Sequence, residues 1–186
     1  MRWLQSRRAL SMSDSELVQR VLKGDREWYA ELVRRHQEVF YRHACGMGIN
    51  HDDALDLVQD GFIKAFARLK ECHEPAHFRA WTFRIVRNLC LDYLKNVRRL
   101  SLPLSSLEHE HAVLQHDSEM SITLDAALDS LPVALREAFL LKHDANYTYE
   151  EIAEMTDASP SAVKMRVHRA RESLREFLIQ RGVHAA

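Results

Sequence analysis

Only five glycines and four prolines interrupt a chain of 186 residues. A sheet-rich chain of that length needs many more turn residues and alternating apolar side chains. Here the apolar positions recur every three to four residues, the period of helices with one buried face. The expectation is an all-α protein. With 46% of its residues apolar the chain can bury hydrophobic cores, and its length suits one large or two small domains.

The few breakers divide the chain. A first helix is expected from about Asp14 to a stop at Gly24, and a second, over residues 26–44, carries Trp28, Leu32, Val39 and His43 at helical intervals before Gly46 and Gly48. A third opens at Asn50, with Asp52 and Asp53 at the positive end of its dipole. A short break containing Pro75 precedes a long helical segment, residues 78–99. The period then lapses and resumes at Thr123, and Pro132 starts a further helix. Thr148 with Glu151 forms a capping box, and Ser159 before Pro160 sets a capping hydroxyl ahead of a first-turn proline. The organisation expected is an extension over 1–12 and two small helical domains, 13–100 and 123–182, joined by a flexible acidic linker over 101–122.

A formal net charge of −1 conceals strong segregation. Residues 79–99 carry six cations against Asp92, and residues 164–181 carry six against Glu172 and Glu176. Between Leu100 and Leu135 there is no Lys or Arg, while Glu108, Glu110, Asp117, Glu119, Asp125 and Asp129 contribute −6. Two basic helices flanking an acidic span suit two contacts with a polyanion.

At 100° per residue, Phe78, Thr82, Ile85, Val86, Leu89, Tyr93 and Val97 form the inner side of the long segment. Trp81, Arg84, Asn88 and Lys95 line another side, flanked by Arg87 and Arg98. Cations follow phosphates, an indole stacks on an unpaired base and an amide reads a base edge, so this stripe suits partly single-stranded nucleic acid. The plainer alternative makes Trp81 and Phe83 core residues and the arginines a solvated face. Near the C-terminus, residues 148–174 read as a helix-turn-helix. Val163, Val167, Ala170 and Leu174 form the inner stripe of its second helix, and Ser161, Lys164, Met165, Arg166, His168 and Arg169 are candidates to meet a major groove.

Other chemistries find little support. Cys45, Cys72 and Cys90 are odd in number and lack paired spacing, which argues against a disulfide framework or a metal site and for a reducing, cytoplasmic setting. No metal or cofactor is expected. The motif EHEH at 108–111 lacks the spacing that aims two imidazoles from one helix face, and no phosphate loop or nucleophile elbow occurs, so no enzymatic activity is expected. Neither a signal peptide nor an apolar run of membrane-spanning length is read, and membrane insertion is not expected.

Four ordered blocks, DDALDLVQDGFIKAF, FRAWTFRIVRNLCLDYL, LDSLPVALREAFLLKH and YTYEEIAEMTDASPSAVKMRVHRAR, resemble the extracytoplasmic-function (ECF) group of bacterial sigma factors in the sigma-70 family. The resemblance implies a promoter-melting helical domain (region 2), a tether and a helix-turn-helix domain (region 4), without catalysis. It implies that Asp53, Asp56, Gln59 and Asp60 dock on core RNA polymerase. Trp81, Arg84, Arg87, Asn88, Lys95 and Arg98, with the loop over 70–77, would engage the minus-ten element of promoter DNA, and the helix-turn-helix candidates the minus-thirty-five element. It implies an anti-sigma factor as a further partner. Ala162 and Met165 replace hydroxyl residues common in the family, so promoter sequence does not transfer from a relative. Another reading stays open: a sigma-like decoy that binds an anti-sigma factor and never contacts DNA. An ordinary helix-turn-helix repressor would leave residues 14–99 without a purpose.

Overall fold

The structure, a computed structural model, describes residues 11–100, 119–143 and 145–182, with backbone alone at 98, 100 and 119–123. Residues 1–10 of the expected N-terminal extension and 101–118 of the expected linker lie outside the described residues. The described residues form an all-α protein built as two helical bundles.

The first bundle begins with helix α1 (Asp14–Leu22), started by a capping box. Ser13 Oγ accepts from the Glu16 amide at 3.2 Å, and the Glu16 carboxylate accepts from the Ser13 amide at 2.7 Å. Gly24, at φ +110°, reverses the chain into a 3₁₀ turn (Arg26–Trp28), which leads into α2 (Tyr29–Gly46). Asn50 caps α3 (His51–Ala67) by accepting from the Asp53 amide at 2.9 Å. The break expected around Pro75 contains two further 3₁₀ turns, Leu69–Glu71 and Pro75–His77, and α4 (Phe78–Leu100) follows without interruption.

Packing follows from the inner faces. Phe40, Phe62, Phe83 and Val86 meet in one buried cluster, and Leu17, Val18, Trp28, Leu32, Leu69 and Phe78 in another. Phe83 is fully buried, so removing its ring would cost about 3–5 kcal/mol. A side chain at Gly61 of α3 would collide with Val86 of α4, and this is what permits those helices to lie so close. An ionic tie holds α1 to α2: Asp14 accepts from His36 Nε2 at 2.6 Å and from Arg35 Nη1 at 2.8 Å. Burial pushes the Asp14 carboxyl up, but these two partners outweigh it and hold it below the usual carboxylate range.

The second bundle comprises α5 (Glu119–Asp129), α6 (Val133–His143), α7 (Tyr149–Thr156) and α8 (Pro160–Gln180). Helix α5 begins one turn before Thr123. The expected capping box at Thr148 and Glu151 is present. The Ser159 hydroxyl accepts from the Ala162 amide at 3.2 Å, with Pro160 in the first turn. Asp157 takes the left-handed conformation, φ 53° and ψ 51°, and makes the sharp corner between α7 and α8.

The two bundles pack on each other. Leu141, Ile152, Met155 and Val163 join Phe40, Phe83 and Val86 in one continuous buried cluster. Gly46 marks the approach of α2 to α6, since a Cβ there would lie 2.8 Å from Leu140 Cδ1.

Candidate nucleic-acid interface

Helix α4 sorts its residues by face, with a correction to the expected inner stripe. Phe78, Thr82 and Val86 are buried as expected, whereas Ile85, Leu89, Tyr93 and Val97 are half-buried; Ala80, Phe83 and Cys90 complete the buried side. The inner face is turned toward Phe83 because α4 is covered from two directions, by α2 and α3 and by the second bundle. Phe83 is thus a core residue, as the plainer alternative held. Trp81 is half-buried, tilted against Phe78 with ring centroids 6.4 Å apart, and its remaining surface lies open. Arg84, Asn88 and Lys95 are exposed, and Lys95 pairs with Asp92 at 3.1 Å. Arg98 is placed by its backbone alone.

Arg87 is placed differently. Its guanidinium grips Glu137 of α6 through two bonds, Nε to Oε1 at 2.5 Å and Nη2 to Oε2 at 2.8 Å. His43 Nε2 stands 3.9 Å from the same carboxylate, which is 1% exposed. Nearby, Arg136 of α6 donates to Met47 O at 3.1 Å and pairs with Asp129 at 2.8 Å. Higher on α4, Arg79 pairs with Glu151 of α7 and lies 4.5 Å over the Tyr147 ring, while His77 pairs with Glu154. Sequence reasoning missed the partners of Arg87, Arg79 and His77 because each lies 50 or more positions away.

On α8 the inner stripe of Val163, Val167, Ala170 and Leu174 is buried, and Ser161, Lys164, Met165, His168 and Arg169 are exposed, with Arg166 half-buried. Met165 is 53% exposed, and an apolar side chain so placed among cations suits contact with a thymine methyl. His168 bonds to Glu172 one turn on at 3.1 Å. At the far end, burial first, then Arg171 and Lys142, lower the His143 pKa, and its neutral imidazole accepts from Arg171 Nε at 3.2 Å.

Of the residues expected to dock polymerase, Asp56, Gln59 and Asp60 are exposed on α3. Asp53 is half-buried and turned inward: it accepts from Tyr93 at 2.5 Å, a bond that with burial pushes the phenol up to about 12. Beside Asp56 and Gln59 lies a groove of about 980 Å³ between α2 and α3, floored by Tyr29, Val33 and Phe62 and rimmed by Leu55, Ile63 and Phe66. Leu55, Ile63 and Phe66 are 47%, 59% and 36% exposed. The sequence signal for this groove is the set of apolar side chains on α3 that its core face does not use.

The cysteines carry no sign of activation. Burial raises all three thiols, that of Cys90 to about 12. Among the described residues no group of three His, Cys, Asp or Glu side chains could hold a metal ion, and no helix is long and apolar enough to cross a membrane.

Comparison with known proteins adds a family to this geometry. Residues 32–100 match sigma-70 region 2, and residues 121–174 match sigma-70 region 4. The chain is 33% identical to the ECF RNA polymerase sigma factor SigE of Mycolicibacterium smegmatis over 84% of its own length, spanning 63% of that relative. It is 32% identical to the ECF RNA polymerase sigma factor SigM of Mycobacterium tuberculosis, covering 89% of this chain and 85% of the relative. Among solved structures, a chain of the structure of CnrH in complex with the cytosolic domain of CnrY aligns with a TM-score of 0.71 at 27% identity, covering 90% of this chain and 97% of that one. The sigma factor RpoE in complex with the anti-sigma factor NepR from Bartonella quintana aligns with a TM-score of 0.67 at 26% identity, covering 81% and 96%. With regions 2 and 4 matched in order on two helical bundles, the chain belongs to the extracytoplasmic-function group of sigma-70 sigma factors, a family with a general role in transcription initiation.

Proposed function

We propose that this chain is an alternative sigma factor that binds core RNA polymerase, recognises promoter DNA at two elements and stabilises the melted strand. The observation that carries the proposal is a pair of outward faces whose side chains suit nucleic acid, on separate bundles: Arg84, Asn88 and the open side of Trp81 on α4, and Lys164, Met165 and Arg169 on α8. The first offers stacking beside cations, which suits an unpaired strand. The second presents cations and one apolar side chain from the second helix of a helix-turn-helix, which suits duplex major groove.

Polymerase would dock on α3, with Asp56, Gln59 and Asp60 supplying charge beside the apolar groove. Its rim of Leu55, Ile63 and Phe66 gives that contact a dry centre. Binding energy from the two faces and the groove would offset the cost of opening the duplex. An anti-sigma factor is the further partner, as in the RpoE complex with NepR. The cytoplasm is the compartment in which polymerase and promoter are available.

The test is transcription in vitro with core polymerase and this chain on a promoter library. Transcripts above those of core alone, with permanganate-reactive thymines near the start site, are expected. Absence of both, with retained binding to an anti-sigma factor, would establish the decoy.

A further inference from the structure

The groove between α2 and α3 leaves Leu55, Ile63 and Phe66 uncovered along one rim. Single exposed apolar side chains are ordinary, but three beside one apolar floor mark a contact surface. The charged margin of the groove is mostly acidic. Glu27 stands at one end and Glu38 and Asp56 toward the other, all exposed, against the single arginine Arg26. A fitting occupant is therefore both apolar and basic.

The chain carries such a segment ahead of α1, outside the described residues. Residues 1–10, MRWLQSRRAL, contain Trp3, Leu4 and Leu10 together with Arg2, Arg7 and Arg8, and no acid. The point from which they leave the fold adjoins the groove. Met12 packs on the cluster that holds Trp28 and Leu32, and Tyr29, which packs on the same cluster, lines the groove. We infer that residues 1–10 lie along this groove, with Arg7 and Arg8 at Glu27, Arg2 at Glu38 and Asp56, and Trp3 seated among Val33, Leu55 and Val58. Polymerase must then displace the segment to dock.

The spacing of the charges supports this register. From Arg2 to Arg8 an extended chain covers about 20 Å, and from Glu27 to Glu38 the helical backbone rises about 17 Å. Long arginine side chains take up the difference. Tethering favours this occupant over a second copy, because a segment joined directly to the fold meets the groove at an effective concentration of about 1 mM. With an intrinsic dissociation constant of about 0.1 mM the segment fills roughly nine grooves in ten, and a ligand that needs the open groove binds about tenfold more weakly. Competition with polymerase rests on the functional reading above; occupancy of the groove does not.

The two parts are tested separately. Benzoylphenylalanine in place of Trp3 in the full chain, irradiated and mapped by mass spectrometry, should crosslink within one chain to residues of α2 and α3 that line the groove. In titrations of core polymerase, Trp3→Ala and a chain starting at Met12 should each bind about five- to tenfold tighter than the full chain, with Ser6→Ala within about twofold. The shorter chain keeps the capping box of Ser13 and Glu16, so α1 retains its start.

Crosslinks outside the groove, between two copies, or absent altogether overturn the inference. Groove crosslinks with unchanged polymerase affinity in both shortened and Trp3→Ala chains overturn the competition. Groove crosslinks in a protein that binds no polymerase in any form place the fault in the functional reading; the competition falls with it, and the seated segment stands.

Discussion

Replacing Glu137 by glutamine exchanges one oxygen for an amide nitrogen at an enclosed polar position between the bundles. The carboxylate is 1% exposed and accepts two bonds from Arg87, at 2.5 and 2.8 Å. Charge-assisted bonds of this kind contribute about 1.5–3 kcal/mol each. Glutamine retains one acceptor and turns its N–H₂ toward a guanidinium that can only donate, so one bond is lost and a donor conflict is added. Arg87 is 21% exposed and recovers part of its hydration, which lowers the cost. A net loss of about 2 kcal/mol follows, or a roughly thirtyfold weakening of the contact between the bundles. Native-state hydrogen exchange reads it: amides of α6 should lose protection, while those of α1, whose partners lie within the first bundle, should not. In a double-mutant cycle with Arg87→Met, the coupling should reach about 1–3 kcal/mol. A change in α6 protection below about threefold, or a loss spread evenly over all eight described helices, would refute the reasoning.

Trp81→Ala should impair permanganate-detected opening by about ten- to a hundredfold while leaving polymerase affinity within about threefold, because the lost stacking acts only on an unpaired base. Equal reactivity in both chains removes the stacking role. Lys164→Ala with Arg169→Ala should weaken promoter binding and flatten its dependence on salt by about two phosphate contacts, measured by filter binding across a salt series; an unchanged slope excludes these side chains from phosphate. The contact between the bundles should also respond to pH. The bond to Glu154, then that residue's charge, raises the His77 pKa above 6.5, with Glu74 adding and burial and Arg84 opposing. The contribution of His77 is therefore complete below pH 6.5 and lost as pH rises through the higher folded value. The radius of gyration should grow over that interval in the wild type and stay flat in His77→Gln.

What could be read before the structure was whatever neighbouring residues decide. Ser159, Pro160, Thr148 and Glu151 are local signals, and each cap stands where its spacing put it. The inner stripe of α8 was legible for a related reason: the helix is buried along one side, so Val163, Val167, Ala170 and Leu174 at helical intervals are sufficient to orient it. Helix α4 defeats the same reasoning because it is covered from two directions. A single apolar stripe does not describe it, and Phe83, which a helical wheel sets beside Trp81 and the arginines, is fully buried.

The role of Glu137 was illegible for a different reason. In sequence it is one acid in VALREAFLLKH, indistinguishable from a solvated residue, and Arg87 is one cation of six. Each becomes specific only through the other, across 50 residues and two bundles. A charge pattern predicts which surfaces attract a polyanion, but it cannot show whether a surface is already occupied. Charge segregation that suits nucleic acid also suits self-association, because the acids of one bundle make the same demand on a guanidinium that DNA does. A guanidinium already held by an acid of the second bundle, as Arg79 is by Glu151 and Arg87 by Glu137, is therefore a weaker mark of a nucleic-acid face than an exposed one such as Arg84.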